Sequence, residues 1–263
     1  MVSTAQPAKT DPLGATVADL RALALRALAR MYRSEPRLFV FTVRRRGGEA
    51  VAEGVSRRYT AMTLLGLAGE DESAVGQVLG GEDVHALCGR LLGDVHTVEN
   101  LGDVAMTLWA AAALHHGSAR LALDRMIELD PVSGSHPTVE LAWCVTALSI
   151  DPSFCGMDSG LARAVAERLM ASFVPASDLF PHWPVGARAP WLRSHVACFA
   201  DLVYPTQALA HYHMSTGDDK ALELAGRCAR RMCELQGAQG QWWWHFDSRT
   251  GKVVEGYPVY AVH

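Results

Sequence analysis

The sequence lacks the features that mark several large classes of protein. No Cys-x-x-Cys pair occurs among its six cysteines, so their spacing predicts neither a zinc site nor a redox-active dithiol. No apolar run approaches the roughly 18 residues of a membrane span, and residues 1–14 are too polar for a secretory signal. We therefore expect a cytoplasmic protein without a bound metal or cofactor, in which Cys144 and Cys198 are buried free thiols within helices.

An excess of charge of one sign is also missing. The net charge of the 263-residue chain is −4, and charged residues make up 20% of it against 49% hydrophobic residues. This balance is ordinary for a globular protein and predicts no positively charged surface for nucleic acid. The sequence does not indicate an oligomeric state.

From Arg57 onward the chain contains a succession of helical segments. Glycine, aspartate and proline separate them in the order expected of helix ends and caps. The predicted helices cover residues 57–69, 82–92, 100–116, 118–129, 137–149, 159–173, 195–216 and 218–236.

The N-terminal region has a different character. Residues 1–14 are predicted to form a disordered tail, and the apolar spacing that follows predicts a helix over about 16–33. Strands are expected at 38–43 and 49–55, paired across the turn between them. Residues 15–263 are predicted to form a single domain.

The helices after Arg57 alternate in character. The first, third, fifth and seventh are apolar on nearly all sides, whereas the fourth, sixth and eighth carry arginines and acids on one face. The apolar helices should therefore lie inside and the amphipathic helices outside. A spacing of about 40 residues between inner helices indicates a repeat of helix pairs, arranged as a closed ring or as an open solenoid.

The stretch 236–263 is rich in glycine and aromatic side chains. Three consecutive tryptophans precede a turn-forming Asp-Ser-Arg-Thr-Gly segment and two valines, which predicts a minor β-hairpin near 242–255. Because side chains alternate along a strand, the face that we expect to meet an open pocket carries Trp243, His245 and Asp247. The opposite face, which we expect to pack in the core, carries Trp242, Trp244 and Phe246.

This pattern resembles the α/α-toroid proteins, a class that includes six-hairpin glycosidases, sugar epimerases, unsaturated-uronyl hydrolases, terpenoid cyclases and lanthionine synthetases. The resemblance covers about residues 57–263. It rests on the alternation of helices and on Gly240-Gln-Trp-Trp-Trp, which joins an outer helix to the next inner one. It implies an all-α fold, an (α/α) toroid of helical hairpins. Tyr257-Pro-Val-Tyr resembles the start of a further inner helix. Either the last hairpin is incomplete, as we expect, or this segment packs as a strand.

In the glycosidases of this class, the N-terminal ends of the inner helices line the pocket. The resemblance therefore implies a saccharide site, in which carboxylates and histidines act as acids and bases and aromatic rings stack on sugar faces. The candidate catalytic residues are Glu140, Asp201, His245 and Asp247. The candidate substrate-binding residues are Trp243, Trp183, Trp191, Tyr257 and Asp103.

The implied activity is that of a hydrolase, a lyase or a sugar epimerase, with a small saccharide or glycan as substrate. Two alternatives stay open. Gly240-Gln-Trp resembles the Gln-Trp repeats of terpenoid cyclases, and prenyltransferases share their toroid, but the Asp-x-Asp-Asp motif of the cyclases is absent. A non-catalytic helical-repeat scaffold that binds a polymer or a protein has the same periodicity.

Overall fold

The computed structural model describes residues 12–151, 159–184, 186–188 and 193–258. These residues contain ten α-helices and seven short strands in antiparallel sheets, which confirms the mostly helical prediction. Within them, no helix is long and apolar enough to cross a membrane. The chain divides into two compact units, Met1–Leu87 and Cys88–His263. The division into a tail over 1–14 and a single domain over 15–263 stays a prediction.

The first unit combines one long helix with two small hairpins. Helix α1 (Pro12–Met31) begins inside the predicted tail. The paired strands are β1 (Tyr32–Arg33) with β2 (Leu38–Phe39), and β3 (Thr42–Arg46) with β4 (Glu49–Glu53). The second hairpin turns at Gly47 and Gly48, both at positive φ. Its first strand, β3, begins at Thr42, later than the strand predicted over 38–43.

Three short helices follow: α2 (Arg57–Leu67), α3 (Glu72–Leu79) and α4 (Val84–Gly93). Helix α3 is absent from the sequence-based prediction, which placed no helix between residues 69 and 82. The Asp71 side chain accepts the backbone N–H of Ala74 at its start, and Gly80 ends it in a left-handed conformation.

The second unit contains three pairs of helices that confirm six of the predicted segments, most of them within three residues at each end. The helices are α5 (Leu101–Ala113), α6 (Arg120–Glu128), α7 (Thr138–Ile150), α8 (Ser159–Ala171), α9 (Ala200–Thr216) and α10 (Asp219–Leu235). Asp218, in one of the predicted breaks, caps α10 by accepting the backbone N–H of Ala221.

The predicted alternation of inner and outer helices is confirmed in this unit. Helix α7 buries every residue except Val139 and Ile150, whereas α10 buries one face with the helical spacing of Ala221, Leu224, Ala225, Cys228 and Met232. Helix α7 packs against both α5 and α9, while α6 packs on α5, α8 on α7 and α10 on α9. The inner helices therefore stand side by side, each with an amphipathic partner.

A three-stranded antiparallel sheet completes the second unit. Its order is β5 (Val196–Cys198), β6 (Trp243–Asp247) and β7 (Lys252–Pro258), which confirms the predicted β-hairpin. The expected helical position of Cys198 is wrong, because residues 196–198 pair with β6 and α9 starts only at Ala200. Cys198 is consequently only half-buried, whereas Cys144 is a buried free thiol as predicted.

Candidate functional site

The N-terminal ends of α5 and α7 are joined by an asparagine. The Asn100 side-chain oxygen accepts the backbone N–H of Asp103 at 3.0 Å and so caps α5. Its Nδ2 donates to Oε1 of Glu140, 2.8 Å away in the first turn of α7. The Asn100 side chain thus accepts a backbone N–H at the start of α5 and also donates to the Glu140 carboxylate. The half-buried Asp103 is the residue whose N–H it accepts.

Glu140 is a buried acid with two polar neighbours. Its side chain accepts from Asn100 through Oε1, and its Oε2 lies 3.9 Å from Nδ1 of His136. His136 Nε2 lies 2.8 Å from the carbonyl oxygen of Leu129, so Nε2 carries a proton. A buried carboxylate requires such partners because desolvation disfavours its charge.

Close approach of α5 and α7 depends on Gly102. A Cβ there would lie 2.8 Å from the Trp143 ring and 3.0 Å from Cγ of Glu140. Trp143 in turn meets Tyr204 of α9 edge to face, with ring centroids 5.2 Å apart. Helix α7 therefore contacts both α5 and α9 close to Glu140.

Asp201 occupies the corresponding position at the start of α9 and is fully buried. Its Oδ2 accepts the backbone N–H of Cys198 at 2.8 Å and receives Nδ1–H of His182 at 2.9 Å. Burial raises the pKa of Cys198 to about 12, and the Asp201 charge adds to this shift. The Cys198 thiol therefore stays protonated and is not a nucleophile at neutral pH.

The contact with Asp201 changes the pKa of His182. Its hydrogen bond to Asp201 raises its pKa, burial opposes the shift, and the charges of Asp201 and Glu140 add to it. The imidazole side chain is 38% exposed, whereas Asp201 is 0% exposed. The structure therefore links both predicted acids of the inner helices to one histidine that reaches solvent.

The sequence analysis did not select His182. It lies in Pro181-His182-Trp183-Pro184, where two prolines flank an aromatic pair, and this short motif was the available signal. The His182 carbonyl accepts the first backbone N–H of α7, from Thr138, at 2.9 Å. The ring of Trp183 meets that of His182 edge to face at 5.6 Å.

A cleft of about 340 Å³ borders this loop and is lined by Pro181, Trp183 and Pro184 but not by His182. Trp183 lines it, together with a histidine and an arginine that the strands β5 and β6 bring together. Its lining residues are Val174, Pro181, Trp183, Pro184, Gly186, Ala187, Ser194, His195, Ser248 and Arg249.

The predicted polar residues of β6 have local partners. His245 Nδ1 lies 2.8 Å from Oε2 of Glu255 on β7. His245 is also paired with Cys198 across β5 and β6, which puts these two side chains on one face of the sheet. His245 is thereby near the backbone that binds Asp201.

Asp247 is bound within the turn that joins β6 to β7. Its Oδ1 accepts the backbone N–H groups of Arg249 at 2.8 Å and Thr250 at 3.4 Å. Burial acts to raise the pKa of Asp247, but these N–H groups and the Arg249 side chain outweigh it, so the pKa is lowered. This arrangement gives Asp247 a clear part in forming the turn.

The aromatic residues of the hairpin differ from their predicted faces in one respect. Trp242 packs on Phe199 with ring centroids 5.2 Å apart but is only half-buried, so its expected place in the core is met in part. Trp244 is 37% exposed, however, so its expected place in the core beside the 1% exposed Phe246 is wrong. The register between β6 and β7 shifts on both sides of His245. At such irregularities, side chains two residues apart need not lie on the same face of the sheet, so the predicted alternation fails for Trp244.

The other predicted binding residues are spread out. Trp243 is half-buried, and its Nε1 donates to the carbonyl of Leu235 at 3.0 Å. Tyr257 on β7 is 69% exposed. Trp191 lies outside the described residues. Among the side chains that the structure describes, no group of three or more His, Cys, Asp and Glu residues has the arrangement of a metal site.

Comparisons with known proteins complete the description. No model of a protein family matches the chain, and a search of curated proteins found no match. Among solved structures, the cellobiose 2-epimerase of Spirochaeta thermophila matches with a TM-score of 0.58 and 11% identity, over 87% of this chain and 71% of that one. An unsaturated glucuronyl hydrolase specific for heparin matches with a TM-score of 0.61 and 12% identity, over 85% and 68%. The chain therefore has the fold of the α/α-toroid enzymes, the class that its helix pattern predicted.

Proposed function

We propose that this protein is an enzyme that acts on a saccharide, and that His182 is its proton-transferring group. The main support is the hydrogen bond between His182 and the fully buried Asp201, with the buried Glu140 raising the same histidine's pKa. The fold adds support, because two of the solved structures that it matches are a cellobiose 2-epimerase and an unsaturated glucuronyl hydrolase.

The chemistry follows from the two nitrogens of His182. Nδ1–H donates to Asp201, which fixes the tautomer and leaves Nε2 to exchange a proton with a bound molecule. Because its pKa is raised above the ordinary value of about 6.5, His182 is protonated at neutral pH more readily than a free imidazole, which suits a proton donor. Protonated Nε2 can donate to a glycosidic oxygen, and neutral Nε2 can take a proton from a sugar carbon or hydroxyl.

Sugar binding is assigned to the aromatic residue next to this histidine. Trp183 lines the cleft of about 340 Å³, and its ring meets the His182 ring edge to face with centroids 5.6 Å apart. A sugar stacked on the Trp183 indole would therefore be separated from the proton-transferring group by this one side chain, and its reacting bond would have to extend past the indole towards His182. Hydrolase, lyase and epimerase activities all require a proton donor or acceptor beside the sugar. The roles of Asp103, His245, Asp247, Trp243 and Tyr257 stay predictions.

The test is a screen of disaccharides for cleavage and for epimer formation, read by chromatography of the products. On any active substrate, we expect His182→Gln to lower turnover by at least about 100-fold while substrate binding persists. The control is His211→Gln, which alters a half-buried histidine in the C-terminal half of α9 and should leave turnover unchanged.

Two outcomes would contradict the proposal. Full turnover in His182→Gln would remove this histidine from the chemistry. Saccharide binding without turnover on any tested sugar would favour the non-catalytic scaffold instead.

A further inference from the structure

We propose that the cleft lined by Trp183, His195 and Arg249 binds an anionic group on the sugar, a carboxylate or a sulfate ester. The substrate would then be an acidic saccharide. This inference rests on the proposed function and specifies its substrate class.

Arg249 supplies a positive charge that its neighbours only partly neutralise. Its Nη2 lies 2.7 Å from Nε2 of His195, and because arginine only donates, the imidazole accepts and is neutral in this contact. Its Nε lies 3.5 Å from Oδ1 of Asp247, an oxygen already occupied by the backbone N–H groups of Arg249 and Thr250. The Arg249 side chain is 65% exposed, so an anion can reach the guanidinium.

The turn that carries Arg249 is firmly held in the fold. Ser248 is fully buried, and its N–H and its hydroxyl both donate to the His195 carbonyl, at 2.9 and 2.8 Å. The Ser177 hydroxyl donates to the Ser248 carbonyl. Arg231 Nη2 donates to the Gly251 carbonyl at 2.9 Å. A ligand that meets Arg249 and His195 therefore need not order the backbone of this turn.

The lining of the cleft fits an acidic sugar. None of its described lining residues is Asp or Glu, and Asp247, whose Oδ1 lies 3.5 Å from Nε of Arg249, is not among the lining residues. A guanidinium binds a carboxylate or sulfate through two parallel N–H groups, and the Trp183 indole offers a face to the sugar ring. The cleft volume of about 340 Å³ lies in the range of about 300–1,000 Å³ typical of small-molecule sites.

The experiment compares two sugars that differ only in the proposed anion. Methyl β-glucuronide and methyl β-glucoside are titrated into the full chain by calorimetry, and glucose 6-sulfate separates a sulfate from a carboxylate. We expect at least one of the two anionic sugars to bind at least tenfold more tightly than the glucoside. In Arg249→Gln this preference should disappear while glucoside binding stays the same.

Two further variants make the result specific. Arg230→Gln makes the same charge change on the exposed surface of α10 and should keep the preference. Arg249→Lys keeps the charge without the paired donors and should keep part of it. Thermal melts of all variants show whether the turn still folds.

The outcomes separate this inference from the proposed function. Equal binding of neutral and anionic sugars by the unaltered protein, or an undiminished preference in a folded Arg249→Gln, would overturn the acidic-saccharide inference alone. Failure of all three sugars to bind would overturn it together with the assignment of a sugar to this cleft. Loss of turnover in His182→Gln would still support the proposed function in that case.

Discussion

Replacing Gly102 with alanine tests whether the inner helices are packed as closely as the structure shows. The added Cβ would lie 2.8 Å from Cζ3 of Trp143 and 3.0 Å from Cγ of Glu140. Trp143 is only 4% exposed and is backed by Tyr204, so the indole has no free space to move into. Either α5 moves away from α7, or the ring leaves its preferred rotamer.

The size of the effect follows from two opposing contributions. Inserting a methyl group into a filled core costs about 1–3 kcal/mol of unfolding free energy. Alanine regains up to about 1 kcal/mol over glycine in a helix, and less in the first turn, where Gly102 lies. The net loss should be about 1–2 kcal/mol, which lowers the Tm of a protein of this size by about 2–8 °C. Turnover should fall as well, because the displaced Glu140 helps to set the pKa of His182.

The assay is urea unfolding of Gly102→Ala beside a matched glycine variant in another helix of the same unit. Gly226 lies in the middle of α10, and the atom nearest to its added Cβ is the flexible end of Arg230, at 3.4 Å. Gly226→Ala should therefore stabilise the protein by up to about 1 kcal/mol. If Gly102→Ala proves as stable as the unaltered protein, α5 and α7 do not pack as closely as described.

Two more predictions concern titratable groups. Asp201→Asn should lower the pKa of His182 towards about 6.5, as followed by proton NMR of the ring hydrogens. Because that pKa is raised in the folded protein, the stability His182 contributes is fully present below about pH 6.5 and is lost as pH rises through its folded-state pKa. Asp201→Asn should therefore weaken this pH dependence in urea unfolding, and an unchanged pH profile would refute the pairing. Cys144, fully buried with a pKa raised chiefly by burial, should react with a thiol reagent only on unfolding, whereas the exposed Cys233 should react in the native protein. Mass spectrometry after brief labelling distinguishes the two, and early modification of Cys144 would show that α7 opens readily.

Local sequence signals were enough to predict most helices. The all-round apolar composition of α7 and the one-sided composition of α10 indicated their inner and outer places before any contact was known. Helix α3 was missed because it is only eight residues long, and the glycines and acids around it indicated a loop equally well.

The site was less predictable because its decisive contacts are not local. Glu140 and Asp201 stood out as acids in apolar helices, and the structure shows the partners that such acids require. His182 had no comparable signal, since its importance comes from a carboxylate 19 residues further along the chain. Cys198 was assigned to a helix because its strand exists only through pairing with the distant His245 region.

His182 connects two inner helices through different parts of one residue. Its carbonyl holds the first N–H of α7 at Thr138, and its ring holds Asp201, which in turn binds the N–H of Cys198 before α9. Any local opening that removes the loop 181–184 therefore weakens the protection of both helix starts at once. We therefore expect the amide protons of Thr138 and Cys198 to exchange together, and a ligand that holds His182 in place to slow the exchange of both.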